Sequence, residues 1–323
     1  MSKQIKTGVP WVEKHRPSSM ESIVLDETNK KILANILKNN YFPNLLLHGP
    51  PGTGKTTTMI NLVKEYQTQN DELNKGLMIH LNASDDRGID TIRCQISQFV
   101  GTQGLFSKGI KFVILDEVDY MTKTAQQALR CLLNTHRGNV RFCLICNYIS
   151  RIDESLQNDF IRLRFNQLPE HGIISFLNKI VKEEKLNMTD DMIASIQQLY
   201  KSDMRSMINC LQCQQNITHN VPILTKDTWE KLLSDFRQIN DVKEIYGLII
   251  NIAEDYKINY NSIIKLFLNF IVRNHKNMID SQFLTMVENL MHMKEGNPEY
   301  NINYLICCMR ELMVVHSNHS ALQ

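Results

Sequence analysis

An α/β fold, with a mostly parallel sheet covered by helices and an all-helical region after it, is what this sequence predicts. Three observations carry that prediction. Short apolar strands alternate with helical patterns through residues 1–165, an order that builds a parallel sheet covered on both faces. A complete phosphate-loop spacing, G-x-x-x-x-G-K-[ST], follows the first strand in "LLLHGPPGTGKTTTM", residues 45–59. From Pro169 onward strand patterns vanish, while apolar residues keep recurring at helical spacing.

Taken in order, the strands read as "LLLHG", "LMIHLNAS", "KFVILDE", "RFCLICN" and "RLRF". A ligand is expected beyond their carboxyl ends, where the Gly-rich loop falls. The stretch "EHGIISFLNKIVKEEKLNMTDDMIASIQQLYKSDMRSMINCLQCQQ" reads as three helices. One ends near Lys185, one is capped by Thr189 or Asp190, and one by Ser202 or Asp203. "NITHNVPILTKDTWEKLL" links them to a last helical block. The expected division is therefore 1–165, 166–230 and 231–323.

The loop's chemistry is phosphate binding. Gly49, Gly52 and Gly54 let the backbone turn its N–H groups inward, and the helix that begins at Lys55 adds the positive end of its dipole. Pro50, Pro51, Thr53 and Thr57 complete the cradle. Lys55 is expected on the outer phosphates and the Thr56 hydroxyl on Mg²⁺. The strand "KFVILDEVD" supplies the other half, with Asp116 on the metal side and Glu117 as the general base for an attacking water. Asn147, at the end of "RFCLICN", is expected between these carboxylates in the sheet, where its amide would orient the water, if its strand lies beside the one ending at Asp116.

Composition bounds the rest. The 323 residues are 43% hydrophobic and 22% charged, with a net charge of +2. Residues 1–165 hold 21 Lys/Arg against 16 Asp/Glu and the remainder 15 against 18, a mild basic bias that permits nucleic-acid contact without requiring it. No apolar run reaches the roughly 18 residues a membrane helix needs, and the start "MSKQIKTGVPW" carries no apolar leader, so membrane and secretory roles are not expected. The pairs Cys143/Cys146 and Cys210/Cys213 have C-x-x-C spacing. Strand alternation sends the first pair to opposite faces and the second lies inside a helix, so packed thiols are expected rather than zinc.

The strings "PWVEKHRP", "LLLHGPPGTGKTTT", "LNASDDRGID", "FSKGIKFVILDEVDYMT", "AQQALR", "RFCLICNY" and "SDMRSMINCLQ" run in one order over residues 10–215. There the chain resembles the small subunits of replication factor C, the clamp loaders of the AAA+ superfamily. The resemblance implies an AAA+ ATP-binding domain, a helical lid and a helical collar. It implies ATP and Mg²⁺ as ligands and, as partners, related subunits in a hetero-oligomeric pentameric ring, a sliding clamp, and primer–template DNA. By residue, it puts Val12 and Arg16 near the adenine, makes Asn147 and Arg205 the two γ-phosphate sensors, and turns Arg87 and Arg93 toward the DNA backbone. Ile96 and Phe99 are expected either on the clamp or in the core. A cellular eukaryotic source implies the nucleus, a viral one allows a cytoplasmic replication site.

One departure stands out. The family reads "LLSRC" where this chain reads "SLQNDF", so Asp159 replaces the arginine that reaches a neighbour's ATP site, and "ALRR" becomes "ALRC" with Cys131. A carboxylate cannot stabilise charge developing on a phosphoryl group. The family also has arginines at the positions of Arg162 and Arg164. Two rival readings remain: a scaffold subunit in which ATP is only structural, and another AAA+ machine acting on DNA.

Overall fold

The computed structural model describes residues 8–70, 75–84, 89–101, 109–135, 138–215, 224–239, 241–256, 258–293 and 298–320. By internal contacts the chain divides into two compact units, residues 1–185 with 200–212, and 186–199 with 213–323.

The first unit is built on five strands, β1 (Leu45–His48), β2 (Met78–Asn82), β3 (Lys111–Asp116), β4 (Val140–Cys146) and β5 (Ile161–Arg164). All pair in parallel, in the order β2-β3-β4-β1-β5. The expected strands are thus all present. The central strands are apolar throughout because both faces are covered. Leu45, Leu47, Phe112, Ile114, Cys143 and Ile145 point into one layer. Leu46, Val113, Leu115, Phe142, Leu144 and Cys146 point into the other. Cys143 and Cys146 therefore lie on opposite faces, and burial pushes both thiols up, Cys146 to about 12.

The helices of this unit are α1 (Trp11–Lys14), α2 (Glu27–Lys38), α3 (Lys55–Gln69), α4 (Ile89–Gly101), α5 (Lys123–Thr135), α6 (Glu154–Gln157) and α7 (Glu170–Glu184). Helices α2 and α3 cover one face through Leu33, Ile36, Met59, Leu62 and Tyr66. Helices α4 and α5 cover the other through Ile96, Val100, Leu129 and Leu133. Ile96 is 2% exposed, which decides for the core over a clamp contact. Phe99 packs beside it, with the Lys111 ammonium 5.3 Å from its ring.

In the second unit α8 (Asp190–Tyr200) begins at Thr189, whose hydroxyl accepts from Met192 N–H. The first unit takes most of α9 (Met204–Cys213). Helices α10 (Lys226–Gln238), α11 (Val242–Tyr256), α12 (Tyr260–Asn274) and α13 (Ser281–His292) pack against α14 (Pro298–Ser320). Their shared core holds Phe236 and Phe267 stacked 5.6 Å apart. Asn259 and Asp280 cap α12 and α13. Among the described residues no helix is long and apolar enough to cross a membrane.

Where β1 turns into the phosphate loop, Gly49 has φ +144°, and a Cβ there would lie 1.7 Å from the Phe165 carbonyl oxygen. Neighbouring backbone is fixed by the Phe165 N–H, which donates to His48 O at 2.7 Å. Gly49→Ala should therefore destabilise this unit by about 2–3 kcal/mol through a strained backbone and a displaced β5. Urea denaturation followed by circular dichroism checks it, and an unchanged midpoint would contradict the packing described.

Candidate nucleotide-binding site

The carboxyl edge of the sheet opens into a cavity of about 340 Å³. The loop after β1 lines it because Gly52 and Gly54 adopt positive φ (75° and 85°), and Gly54 forms the first cap of α3. Pro51, Thr53, Thr56 and Thr57 line it with them. Gly49 and Pro50 stand behind the cavity instead. Their carbonyls each accept a hydrogen bond from Lys55 Nζ at 2.8 Å.

Lys55 is 6% exposed, and its third acceptor is Asn147 Oδ1 at 3.0 Å. All three acceptors are uncharged. Burial accordingly pushes the ammonium below its usual range, with Asp116 nearby acting in the opposite direction. A buried cation satisfied only by dipoles, in a loop that lines a cavity, fits an anionic ligand.

Thr56 Oγ1 donates to Asp116 Oδ2 at 2.6 Å. Burial opposes ionisation of Asp116, but the nearby His80 imidazole and the hydrogen bonds from Thr56 and the Glu117 N–H outweigh it and hold the carboxyl below the ordinary aspartate range. An ionised carboxylate against a hydroxyl beside a phosphate loop fits a hard divalent cation. Glu117 has φ 56° and ψ 37°, a left-handed conformation uncommon for a residue with a side chain. That turn makes successive carboxylates diverge: Asp116 meets Thr56 while Glu117 lines the cavity separately.

Asn147 ends β4, which lies between β3 and β1, so its amide falls between the carboxylates and Lys55 as the topology requires. A residue the sequence reading passed over holds it there. Asp119, 5% exposed, accepts from the Asn147 and Tyr148 N–H groups at 3.3 and 3.2 Å. The last letter of "DEVD" is the only sequence signal for it. His80 on β2 was likewise passed over; it lines the cavity, its Nε2 3.9 Å from Asp116 Oδ2.

Arg205 lies in the first turn of α9, exposed and lining the same cavity. Asp203 is the cap, accepting from Ser206 N–H at 3.1 Å and Ser206 Oγ at 2.7 Å. Ser202 instead accepts from Leu168 N–H. The start of α9 is joined directly to the loop, since Met204 N–H donates to Gly52 O at 3.0 Å.

Val12 and Arg16 also line the cavity. Arg16 Nε donates to Thr57 Oγ1 at 3.2 Å. The arm that carries them is a single helical turn, anchored by buried Trp11, whose backbone N–H donates to Gln212 Oε1 at 2.9 Å. At its other end Lys14 Nζ and His15 Nε2 meet Glu184 Oε1 at 2.6 and 2.7 Å.

Arg87 lies outside the described residues, and of Arg93 only its place on α4 is described. Asp159 follows α6, its Oδ2 3.5 Å from Arg130 Nε. Arg162 and Arg164 project from the sheet's edge strand, and Arg162 Nη1 donates to Gln157 Oε1 at 3.3 Å.

The profile of the ATPase family associated with various cellular activities (AAA) matches residues 45–168. The chain is 37% identical over 255 residues to "Replication factor C small subunit 2" of Pyrobaculum islandicum, covering 75% of this chain and 78% of that protein. It is 31% identical over 308 residues to "Probable replication factor C subunit 5" of Dictyostelium discoideum, covering 92% and 86%. Against human "Replication factor C subunit 5" the identity is 42% over 205 residues, 64% of this chain. That match spans 60% of the human protein's length.

The Glu184 anchor gives a pH test. Burial works against its charge, yet hydrogen bonds from Lys14 and His15 outweigh it and lower its pKa. A depressed carboxylate stabilises the fold fully above the ordinary glutamate value of about 4.3 and ceases to as pH falls through the lowered folded value. Glu184→Gln should cost about 1–2 kcal/mol near neutrality. In urea titrations the variant and the parent should converge in strong acid, and a gap that persists there would contradict the assignment.

Proposed function

Because the chain belongs to the replication factor C small-subunit family, we propose that it is one subunit of a clamp loader, a ring of related subunits, five by family analogy, that opens a sliding clamp and sets it on primer–template DNA. One observation carries the ATP part of this reading: buried Lys55, held by neutral oxygens, stands beside the Thr56–Asp116 pair at 2.6 Å. Residues 1–165 serve as the ATP-binding part, 166–230 as a lid and 231–323 as a collar that joins subunits. Arg87 and Arg93 face the DNA backbone. In a eukaryotic cell the work is nuclear; a viral source would place it at a cytoplasmic replication site.

The residues divide the labour of hydrolysis. The loop N–H groups and Lys55 bind the phosphates, and Val12 and Arg16 close on the base. Thr56 and Asp116 hold Mg²⁺, which when bound supplies positive charge to the phosphate oxygens. Glu117 takes the proton of the attacking water. Asn147, braced by Asp119 and hydrogen-bonded to Lys55, orients that water. Arg205 reaches the terminal phosphate from α9, so the bound state of the loop is communicated to the lid through the Met204–Gly52 hydrogen bond. ATP binding stabilises the ring that grips clamp and DNA, and hydrolysis releases both.

A specific observation favours a second reading, a subunit that binds ATP but adds little to the ring's turnover. Asp159 carries the wrong charge to assist a neighbour, and it is engaged by Arg130 of its own chain. On this view the Asp159 face meets either the ring's gap or an idle site.

Lys55→Ala should abolish binding of a fluorescent ATP analogue, since the loop holds no second cation. Glu117→Gln should keep that binding while single-turnover hydrolysis in the assembled ring, with the other sites disabled, falls by about 10²-fold or more. Unchanged affinity in the first variant would overturn the cradle. An undiminished rate in the second would pass the role of general base to another group.

A further inference from the structure

Helix α1 reaches the cavity through Val12 and, just past its end, Arg16. It supplies none of the partners of the phosphate loop's cation and hydroxyl: Lys55 Nζ meets Gly49 O, Pro50 O and Asn147 Oδ1, and Thr56 Oγ1 meets Asp116 Oδ2. The apolar residues of the same lining, among them Ile23, Val24, Leu168, Phe176 and Ile208, suit a flat base rather than a phosphate. The cavity thus divides chemically into a polar part that stands without α1 and an apolar part that α1 helps to form.

A helix of four residues does not hold its own geometry, and the start of α1 has no side-chain cap. Its placement comes from other segments. Between Val12 and Arg16 lie Lys14 and His15, and both converge on Glu184 Oε1, at the last residue of α7, at 2.6 and 2.7 Å. The carboxylate and the imidazole are both nearly out of water, with side chains 7% and 6% exposed. Glu183 adds only a longer contact, Oε2 to His15 Nδ1 at 3.4 Å, from a half-exposed side chain. We propose that Glu184 is a positioning residue for the base of a bound nucleoside triphosphate, holding α1 so that Val12 and Arg16 close the cavity over it. The inference rests on the nucleotide-site reading. Glu184 does not itself line the cavity, so its effect on the ligand passes through the arm and falls on the nucleoside part, leaving the triphosphate part unaltered.

The test uses the full chain with Mg²⁺ and a fluorescent ATP analogue, displaced in turn by ATP and by inorganic tripolyphosphate, which carries the phosphates without a base. Glu184→Gln should weaken ATP by about 10-fold and tripolyphosphate by less than about 2-fold. A melting curve for each variant sets the temperature, so that only folded chain is titrated. Should Glu184→Gln fail to fold, Lys14→Gln, which removes the more exposed partner of the pair, must show the same split. Equal or greater weakening of tripolyphosphate, as a general loss of structure would give, overturns the role of Glu184, and so does unchanged affinity for both ligands. A parent chain that releases the analogue to ATP but not to tripolyphosphate also overturns it, since the phosphate part would then not stand alone. Each of these results leaves the nucleotide reading in place. Failure of the parent chain to bind the analogue at all overturns that reading, and this inference with it.

Discussion

The burial of the Lys55 ammonium is the constraint from which the site's geometry follows. A cation this far from water requires acceptors, and they come from two separated segments: the loop after β1 and the end of β4. Meeting that requirement turns the Gly49 and Pro50 carbonyls onto the ammonium. It also holds Asn147 at the same point as the phosphate cradle. The charge left uncompensated by neutral acceptors is what a polyphosphate would satisfy, so a locally unfavourable arrangement is also one that would favour such a ligand.

Around that centre, three carboxylates within four residues take three different surroundings from backbone direction alone. Asp116 ends a strand and meets a hydroxyl across the cavity floor. Glu117 is turned by its left-handed conformation into the cavity. Asp119, in the following 3₁₀ turn, is buried and receives the backbone of the next strand's end. The strained middle residue is what separates them, a local backbone cost set at the edge of the cavity.

Most of the first unit was legible in the sequence because strand alternation and the glycine loop are local signals. The five strands, the loop, and the positions of Asp116, Glu117, Asn147 and Arg205 around one cavity were all anticipated. What was not legible depends on contacts between segments far apart in the chain. Sequence left Ser202 and Asp203 equivalent as caps, and only the proximity of Leu168 to Ser202 and of Ser206 to Asp203 separates them. Asp119 and His80 gain their roles from neighbouring strands, which spacing along one strand cannot reveal. The anchoring of α1 through Glu184 joins residues some 170 positions apart, the separation of His15 and Glu184 being 169. Helical pattern alone gave no reason to pair those two.

The contact between Gly52 and Asp203 bears on how this sequence can change over generations. A Cβ at position 52 would sit 1.8 Å from the Asp203 carboxylate oxygen, in a backbone conformation that side chains rarely adopt. Yet Asp203 cannot withdraw freely, because it caps the helix that presents Arg205. Position 52 is thus held to glycine on two counts, its own backbone conformation and a carboxylate about 150 residues further along the chain. Room for change in the phosphate loop is therefore set by the cap of a helix far from it in sequence.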